Sequence, residues 1–561
     1  MPFMRRLVVQ MLGRSSLRPE GRASVQRPAR GSIGYTPREV QIVGFGAENL
    51  GSADVSSGSS YLIAKLKLAL HQGVCRFRDT IMKFSLSSTN LICTLFTLSA
   101  GAAPLALHPE NPRYFLYHGK PLVVVTSGEH YGAVLNLDFD YVKYLATLAG
   151  DGLNGTRTWA GAYCEPHTAF NIAQNTLAPA PGRFICPWAR SAQPGYANGG
   201  NKFDLTKWDP GYFRRLKDFM SQASKRGIIV ELNLFCPFYE ESMWSLSPMN
   251  AYNNINGIGG VARTNVYTLD KNDGLLPVQE QMVRKLAAEL KGFDNFYFEI
   301  CNEPYFGGVT LEWQRHIAAT IQQAEPGKRR HLISQNIANY KEQVVNPDPA
   351  VSIFNFHYAT PPETVALNYG LSRVIGENET GFRGTNDSQY RMEGWDFLVA
   401  GGGLFNNLDY SFTAGRENGT FIFPENQPGC GSAGLRRQYG YLKHLLEGFD
   451  FIHMRPDNEA VQAELPKAAS VRALGKPGQQ YLVYIRTGLG DWKKAMERKA
   501  AFNAGEVSLK LELAKGAFAA EWLDTKKCAS VERVAFEHNG GWRTLAVPAF
   551  EEDIALTVRR R

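Results

Sequence analysis

The sequence predicts an α/β chain: a (β/α)8 TIM barrel followed by a small all-β sandwich domain. Three observations carry this. From Pro121 onward, eight apolar strand-like runs alternate with helix-like runs over roughly 340 residues, the rhythm of a closed parallel barrel with enlarged loops. Two of those runs stop at carboxylates, at Asn302-Glu303-Pro304 and at Glu379-Thr380-Gly381. After Arg455-Pro456-Asp457 the texture changes to short alternating strands parted by Gly-, Asn- and Lys-rich turns. A doubly wound open sheet is the alternative for the first part. The domain boundaries follow as 105–456 for the barrel and 457–561 for the sandwich.

In chain order, Pro121–Thr126 is the first strand and Phe139–Ala149 the first helix, with Gly155–Trp159 ending the second strand. A loop rich in Pro, Gly, Asn and aromatics fills 163–205, and Pro210–Arg226 is an amphipathic helix with a basic end. The third strand is Ile228–Phe235, and a second long loop runs to about 276. Helix Pro277–Lys291 opens with proline. The fourth strand, Phe296–Cys301, is aromatic and β-branched, as suits a strand covered on both faces, and Pro304 ends its ladder. Helix Leu311–Ala324 is followed by strands His331–Gln335, Val351–His357 and Arg373–Glu379. Helix Ser388–Ala400, strand Gly403–Ser411 and helix Gly434–Gly448 complete the series. In the sandwich, strands are predicted at 470–474, 480–486, 507–513, 517–523 and 545–547.

Composition narrows the function classes. The chain has 561 residues, 44% hydrophobic and 20% charged, which indicates a soluble globular protein of more than one domain. Its formal charge of +8 hints at nucleic acid, but residues 1–81 hold twelve Lys/Arg against five Asp/Glu (+7) and Lys83 supplies the rest. No basic face remains for phosphates, so no nucleic-acid partner is expected. Residues 82–102 show a positive start, a short apolar run and a small-x-small site at Ala100-Gly101-Ala102, the pattern of a secretory signal peptide. A buried core helix is the other reading. Residues 1–81 then read as a disordered or mis-annotated N-terminal extension, and the product as secreted or periplasmic. A membrane span is not expected, and a monomer is.

Six of the eight cysteines follow residue 102, with no CxxC among them, so zinc-ribbon and redox sites are not expected. Cys164 and Cys186 share one loop and either form a disulfide or stay free; Cys301 reads as a small core residue. There is no GxSxG elbow, Walker loop, HExxH or strand–GxGxxG–helix, and no cofactor or metal is implied.

The carboxylates that remain point to glycosidic bond cleavage. With retention, one carboxyl protonates the leaving oxygen and the other attacks the anomeric carbon, about 5–5.5 Å apart. Strand ends far apart in sequence meet over one barrel mouth, so Glu303 and Glu379 are the candidates. Asn302, beside the acid, is placed to donate to a sugar 2-hydroxyl. Alternation puts Glu377 on the same face as Glu379, which makes it the competing nucleophile.

The order of strands ending in Arg157, Asn302-Glu303-Pro304, His357-Tyr358 and Glu379-Thr380-Gly381 resembles clan A glycoside hydrolases. It is nearest the cellulase/mannanase-type barrels of family 5 and bacterial relatives whose small C-terminal β-domain is of the collagen-binding type. The resemblance covers about 105–561. It implies Glu303 as acid/base, Glu379 as nucleophile, Arg157 as the nucleophile's support, and Asn302, His357 and Tyr358 as residues that touch substrate or orient the carboxylates. Arg157 could instead pair with Glu231 or Glu299 inside the barrel, and His357 could be a satisfied core histidine. His130-Tyr131, after the first strand, is a candidate floor for the site. The eighth strand lacks the tryptophan platform of many relatives, so Tyr410, Phe412 or Trp395 is expected in its place. Among Trp159, Tyr163, Trp188, Trp208, Tyr239 and Trp244, at least two are expected to stack on pyranose rings. The substrate implied is a β-linked polysaccharide or oligosaccharide. A non-catalytic carbohydrate-binding barrel, or a cell-surface adhesion protein working through its C-terminal domain, is the competing class.

Overall fold

The computed structural model describes residues 103–327, 329–465, 469–487, 501–503 and 507–561. The expected extension at 1–81 and the expected signal peptide at 82–102 lie outside the described residues.

Eight parallel strands form one sheet: Val124–Gly128, Gly155–Trp159, Ile229–Phe235, Phe296–Cys301, Ile333–Asn339, Ile353–His357, Val374–Glu379 and Leu404–Leu408. The first pairs with the eighth, and neighbours then follow in reverse order round to the second. The seam between first and second strands is closed by the Asn154 N–H to the Val125 carbonyl (3.3 Å) and by the Asn154 side chain, whose Oδ1 accepts from the Val125 N–H (2.9 Å). Gly155 permits this approach, because a Cβ there would lie 2.7 Å from Val124. The two ladder ends therefore meet as a barrel, as predicted, and not as an open sheet.

The interior is layered. At the base, Leu105 and, from a small antiparallel sheet (Ala106–Leu107, Phe115–Tyr117, Lys120–Leu122), Phe115 pack on Val124, Ile229, Tyr297, Ile353, Val374 and Leu404. This apolar plug closes the N-terminal end. Above it lies a polar layer of Arg157, Glu231, Glu299, Asn355 and Asn378, all buried. Gly376 leaves room for that layer, since a Cβ would lie 2.2 Å from Asn355 Oδ1. The C-terminal mouth is the open end that remains, where barrel enzymes keep their chemistry.

The helices begin where capping side chains supply acceptors for free N–H groups. Asp140 caps Tyr141–Gly150, Asp209 followed by Pro210 caps Pro210–Ser224, and Thr310 caps Leu311–Ala324. Three details differ from expectation. Helix Leu275–Leu290 starts two residues before Pro277, which sits in the first turn where its missing N–H has no intrahelical partner to lose. The link from Asn339 to Ile353 holds no helix, and that from His357 to Val374 holds only Glu363–Asn368 and a 3-10 turn, so the alternation of strands and helices is imperfect. The 163–205 loop contains half of a hairpin, Trp188–Pro194 with Asn201–Trp208, whose alternation is masked by Pro, Gly and Asn at the turn.

The C-terminal domain is all-β, as predicted, but its strands run on further than the sequence suggests. The stretches read at 507–513 and 517–523 are one strand, Ser508–Asp524, which forms a long hairpin with Ala529–Ala546. Gly516 reads as a turn yet is extended, at φ 157°. One half of Ser508–Asp524 pairs with Val461–Glu464 and the other with Asp553–Arg560, around a core that includes Val483, Leu511, Phe518, Trp522 and Leu556.

Candidate active site

Glu303 leaves the fourth strand at φ 34°, left-handed backbone that a non-glycine residue adopts only when its surroundings hold it there. Its Oε2 accepts the Tyr239 hydroxyl (2.6 Å), and its Oε1 lies 3.2 Å from His357 Nδ1 and 3.3 Å from the Tyr305 hydroxyl. Burial pushes the carboxyl up, but the hydrogen bond and charge of His357, with Tyr239, outweigh it and hold Glu303 below the usual carboxylate range.

Glu379 ends the seventh strand. Its Oε2 accepts from Tyr131 (2.8 Å) and Arg157 Nη1 (3.3 Å), its Oε1 from Tyr358 (2.6 Å). The expectation that Glu377 shares its face is overturned. The ladder between sixth and seventh strands pairs Phe356 with Glu377 and then His357 with Glu379, skipping Asn378. This irregularity breaks the alternation: Asn378 and Glu379 both turn into the barrel, while Glu377 faces outward to the helix Asp387–Val399, where the Ala359 N–H donates to it at 2.7 Å.

The two site carboxyls converge. Oxygens of Glu303 and Glu379 and a His357 ring nitrogen all lie within 4.8 Å of one another, and His357 Nδ1 stands 3.6 Å from Glu379 Oε1. Tyr131 and Tyr358, the two phenols holding Glu379, also sit on left-handed backbone, at φ 62° and 53°. Three strained residues are thus concentrated on one pair of carboxyls.

Arg157 reaches both sets of expected partners at once. Its Nε donates to Glu231 (2.6 Å), its Nη2 to Glu299 and Asn302 Oδ1 (2.7 Å), its Nη1 to Glu379, and its guanidinium lies over the Tyr131 ring. One cation faces three carboxyls. Burial and the Glu299 charge push Glu231 up to about 8, while Arg157 holds Glu299 below its ordinary value. Asn302 is held on both ends, its Nδ2 donating to the Tyr239 hydroxyl at 2.9 Å.

His130 and Tyr410 are at the site as expected, their rings 5.7 Å apart. His130 bonds Glu165 at 3.2 Å. Burial pushes the imidazole down, but Glu165 and, further off, Glu379 outweigh it and raise the group. Trp159 stacks on Tyr131 and lies edge-on to Tyr163, so it backs the site from within the core. Several expected sugar platforms are core residues instead. Tyr163, Trp188 and Trp244 are buried, and Trp244 spends its N–H on the Val261 carbonyl. Phe412 lies under Arg436, and Trp395 stacks on Tyr484 of the C-terminal domain. Cys164 and Cys186 are separate free thiols; the first lies against Tyr196 and Leu246, the second donates to the Trp188 carbonyl. Tyr305 and its partner Asn339 were not anticipated, although a tyrosine directly after Asn-Glu-Pro was a visible signal.

No protein-family model matches the sequence, and no curated protein matches it. Solved structures do. A candidate glycoside hydrolase from Bacteroides vulgatus matches with TM-score 0.55 and 15% identity over 82% of this chain and 83% of its own. A second glycoside hydrolase gives 0.53 and 15%, over 82% and 97%. A family 5 glycoside hydrolase from Bacteroides vulgatus gives 0.52 and 14%, over 82% and 94%. At such identities the likeness shows the fold.

Proposed function

We propose that the chain is a retaining glycoside hydrolase acting on β-linked poly- or oligosaccharides, working outside the cytoplasm as a monomer. One observation carries this reading: two buried carboxyls from the fourth and seventh strands approach within 4.8 Å, a spacing that suits a covalent glycosyl intermediate and leaves too little room for the water of an inverting site. The solved structures that the fold resembles are glycoside hydrolases, which supports the hydrolase part of the reading.

Glu379 attacks the anomeric carbon, forming a C–O ester as the glycosidic bond breaks. Arg157, Tyr131 and Tyr358 fix its oxygens. Glu303 gives its proton to the leaving oxygen, then takes one from the water that hydrolyses the ester. Its lowered free-enzyme value suits the second step directly. For the first step, the Glu379 anion opposite, in a mouth dried by substrate, favours the protonated acid. A purely carbohydrate-binding barrel would have no use for a carboxyl pair held this way. Turnover of an aryl β-glycoside and polysaccharide panel by protein from Ala103, with Glu303→Gln and Glu379→Gln, tests the reading. Both variants are expected to lose hydrolysis while melting normally, and the first product of the parent to keep its anomeric configuration. Full activity in both would overturn it.

A further inference from the structure

The carboxyl turned away from the mouth has a partner of its own kind. Glu377 on the seventh strand and Glu393 on helix Asp387–Val399 are both fully buried. Each spends one oxygen on the short segment after Tyr358: Glu377 Oε1 accepts the Ala359 N–H at 2.7 Å, and Glu393 Oε1 accepts the Thr360 hydroxyl at 2.7 Å. The other two oxygens, Glu377 Oε2 and Glu393 Oε2, are buried with no other group donating a hydrogen bond to them. The nearest cation is Arg383, whose Nε lies 3.6 Å from Glu393 Oε2 and whose Nη2 donates to the Thr360 carbonyl at 3.3 Å. The remaining titratable groups facing the pair are Tyr390 from the same helix, Tyr439 from helix Ala433–Glu447 and the thiol of Cys430, all three pushed up by burial.

Two anions in contact in a dry interior against one guanidinium are unfavourable, whereas one proton between them turns repulsion into a strong hydrogen bond. We propose that Glu377 and Glu393 share one proton and, so joined, act as a positioning pair that sets Tyr358 against Glu379. Burial and the Glu393 charge raise Glu377 well above the carboxylate range, in keeping with this. The route to the site is short. Tyr358 sits at φ 53°, its N–H donates to the Glu379 carbonyl (2.9 Å), its carbonyl accepts the Thr360 N–H (2.8 Å), and its hydroxyl donates to Glu379 Oε1. The pair grips the two residues that follow it. Loss of the shared proton at alkaline pH frees that grip, so the pair sets part of the alkaline limit of turnover. This rests on Glu379 being the nucleophile.

The experiment compares the parent with Glu377→Gln and Glu377→Ala. It follows kcat and KM across pH on an aryl β-glycoside that the parent hydrolyses, and the thermal midpoint across the same range. Glutamine offers an amide oxygen to Ala359 and an N–H to Glu393 at every pH, so it imitates the protonated state. The expected result is near-parent kcat for Glu377→Gln at neutral pH, with its alkaline limb moved to higher pH and its midpoint falling less steeply than the parent's. Glu377→Ala should lose about tenfold in kcat with little change in KM. The proposal is overturned if Glu377→Gln keeps the parent's pH dependence in both readouts, or if it is as impaired as Glu377→Ala at neutral pH. Full turnover by Glu379→Gln would instead remove the nucleophile assignment, while the midpoint profile would still report on the shared proton.

Discussion

Tyr358 donates its hydroxyl proton to Glu379 Oε1 at 2.6 Å from a backbone held in the left-handed region. A bulky aromatic side chain there costs about 1–3 kcal/mol, and nothing in barrel packing requires it. What the conformation achieves is aim. Tyr358→Phe keeps the ring and the strain but deletes one hydrogen bond to a charged group, worth about 1.5–3 kcal/mol. The expected effect is a roughly 10- to 100-fold fall in kcat on an aryl β-glycoside, with KM and the melting temperature little changed. Unchanged kcat would show that Tyr131 and Arg157 orient the nucleophile without help.

The barrel was legible because its strands are buried on both faces and so form largely apolar runs, two of which stop at acids, Glu303 and Glu379. What escaped depends on register or partners. Alternation assigned Glu377 and Glu379 to one face, and only the skipped pairing at Asn378 separates them. Trp188 and Trp244 read as loop aromatics, because nothing local to them reveals that the long loops fold inward and join the barrel's core. Arg157 was legible as a residue but not as the shared partner of three carboxyls, a role that exists only when the second, third, fourth and seventh strands have closed.

That closure has an electrostatic cost, and Arg157 offsets it. Removing the guanidinium by Arg157→Met leaves Glu231, Glu299 and Glu379 buried without the partner they share, and a loss of about 3–5 kcal/mol is expected, read as a lowered denaturant midpoint. The same cluster gives stability a pH slope. Glu231 is raised from its ordinary 4.5 to about 8 in the folded chain, so the folded state holds its proton more tightly than the unfolded one. Its contribution is complete below the unfolded value and is lost as pH rises through about 8. Glu231→Gln removes that part of the slope and should flatten the fall in melting temperature between about pH 4.5 and about pH 8. A variant with the parent's slope would show that the proton resides elsewhere in the cluster.

Helix Asp387–Val399 explains why the C-terminal domain matters to a site it does not line. The helix is buried on all sides, with Glu393 turned to the seventh strand and the residues beside it to the β-domain. Arg391 binds Asp553 (2.6 Å) and Glu552 (2.8 Å), Asp396 binds Arg472 (2.5 Å) and Arg486 (2.7 Å), and Trp395 stacks on Tyr484 with ring centroids 5.3 Å apart. Deleting 457–561 would leave Arg391 and Asp396 without these partners and expose the Trp395 indole. Each broken buried pair costs about 3–5 kcal/mol, which together consumes much of a typical domain's 5–15 kcal/mol. The truncated chain is therefore expected to be poorly soluble or to melt far below the parent, and to lose turnover of soluble substrates by unfolding. A detachable binding module would behave oppositely, leaving melting and turnover of soluble substrates intact. Asp396→Asn in the full chain isolates the interface, since its side chain binds Arg472 and Arg486 across it: a lowered melting temperature with the C-terminal domain still folded identifies that domain as a brace for the helix behind the seventh strand, and an unchanged one would return the domain to the role of a tethered passenger.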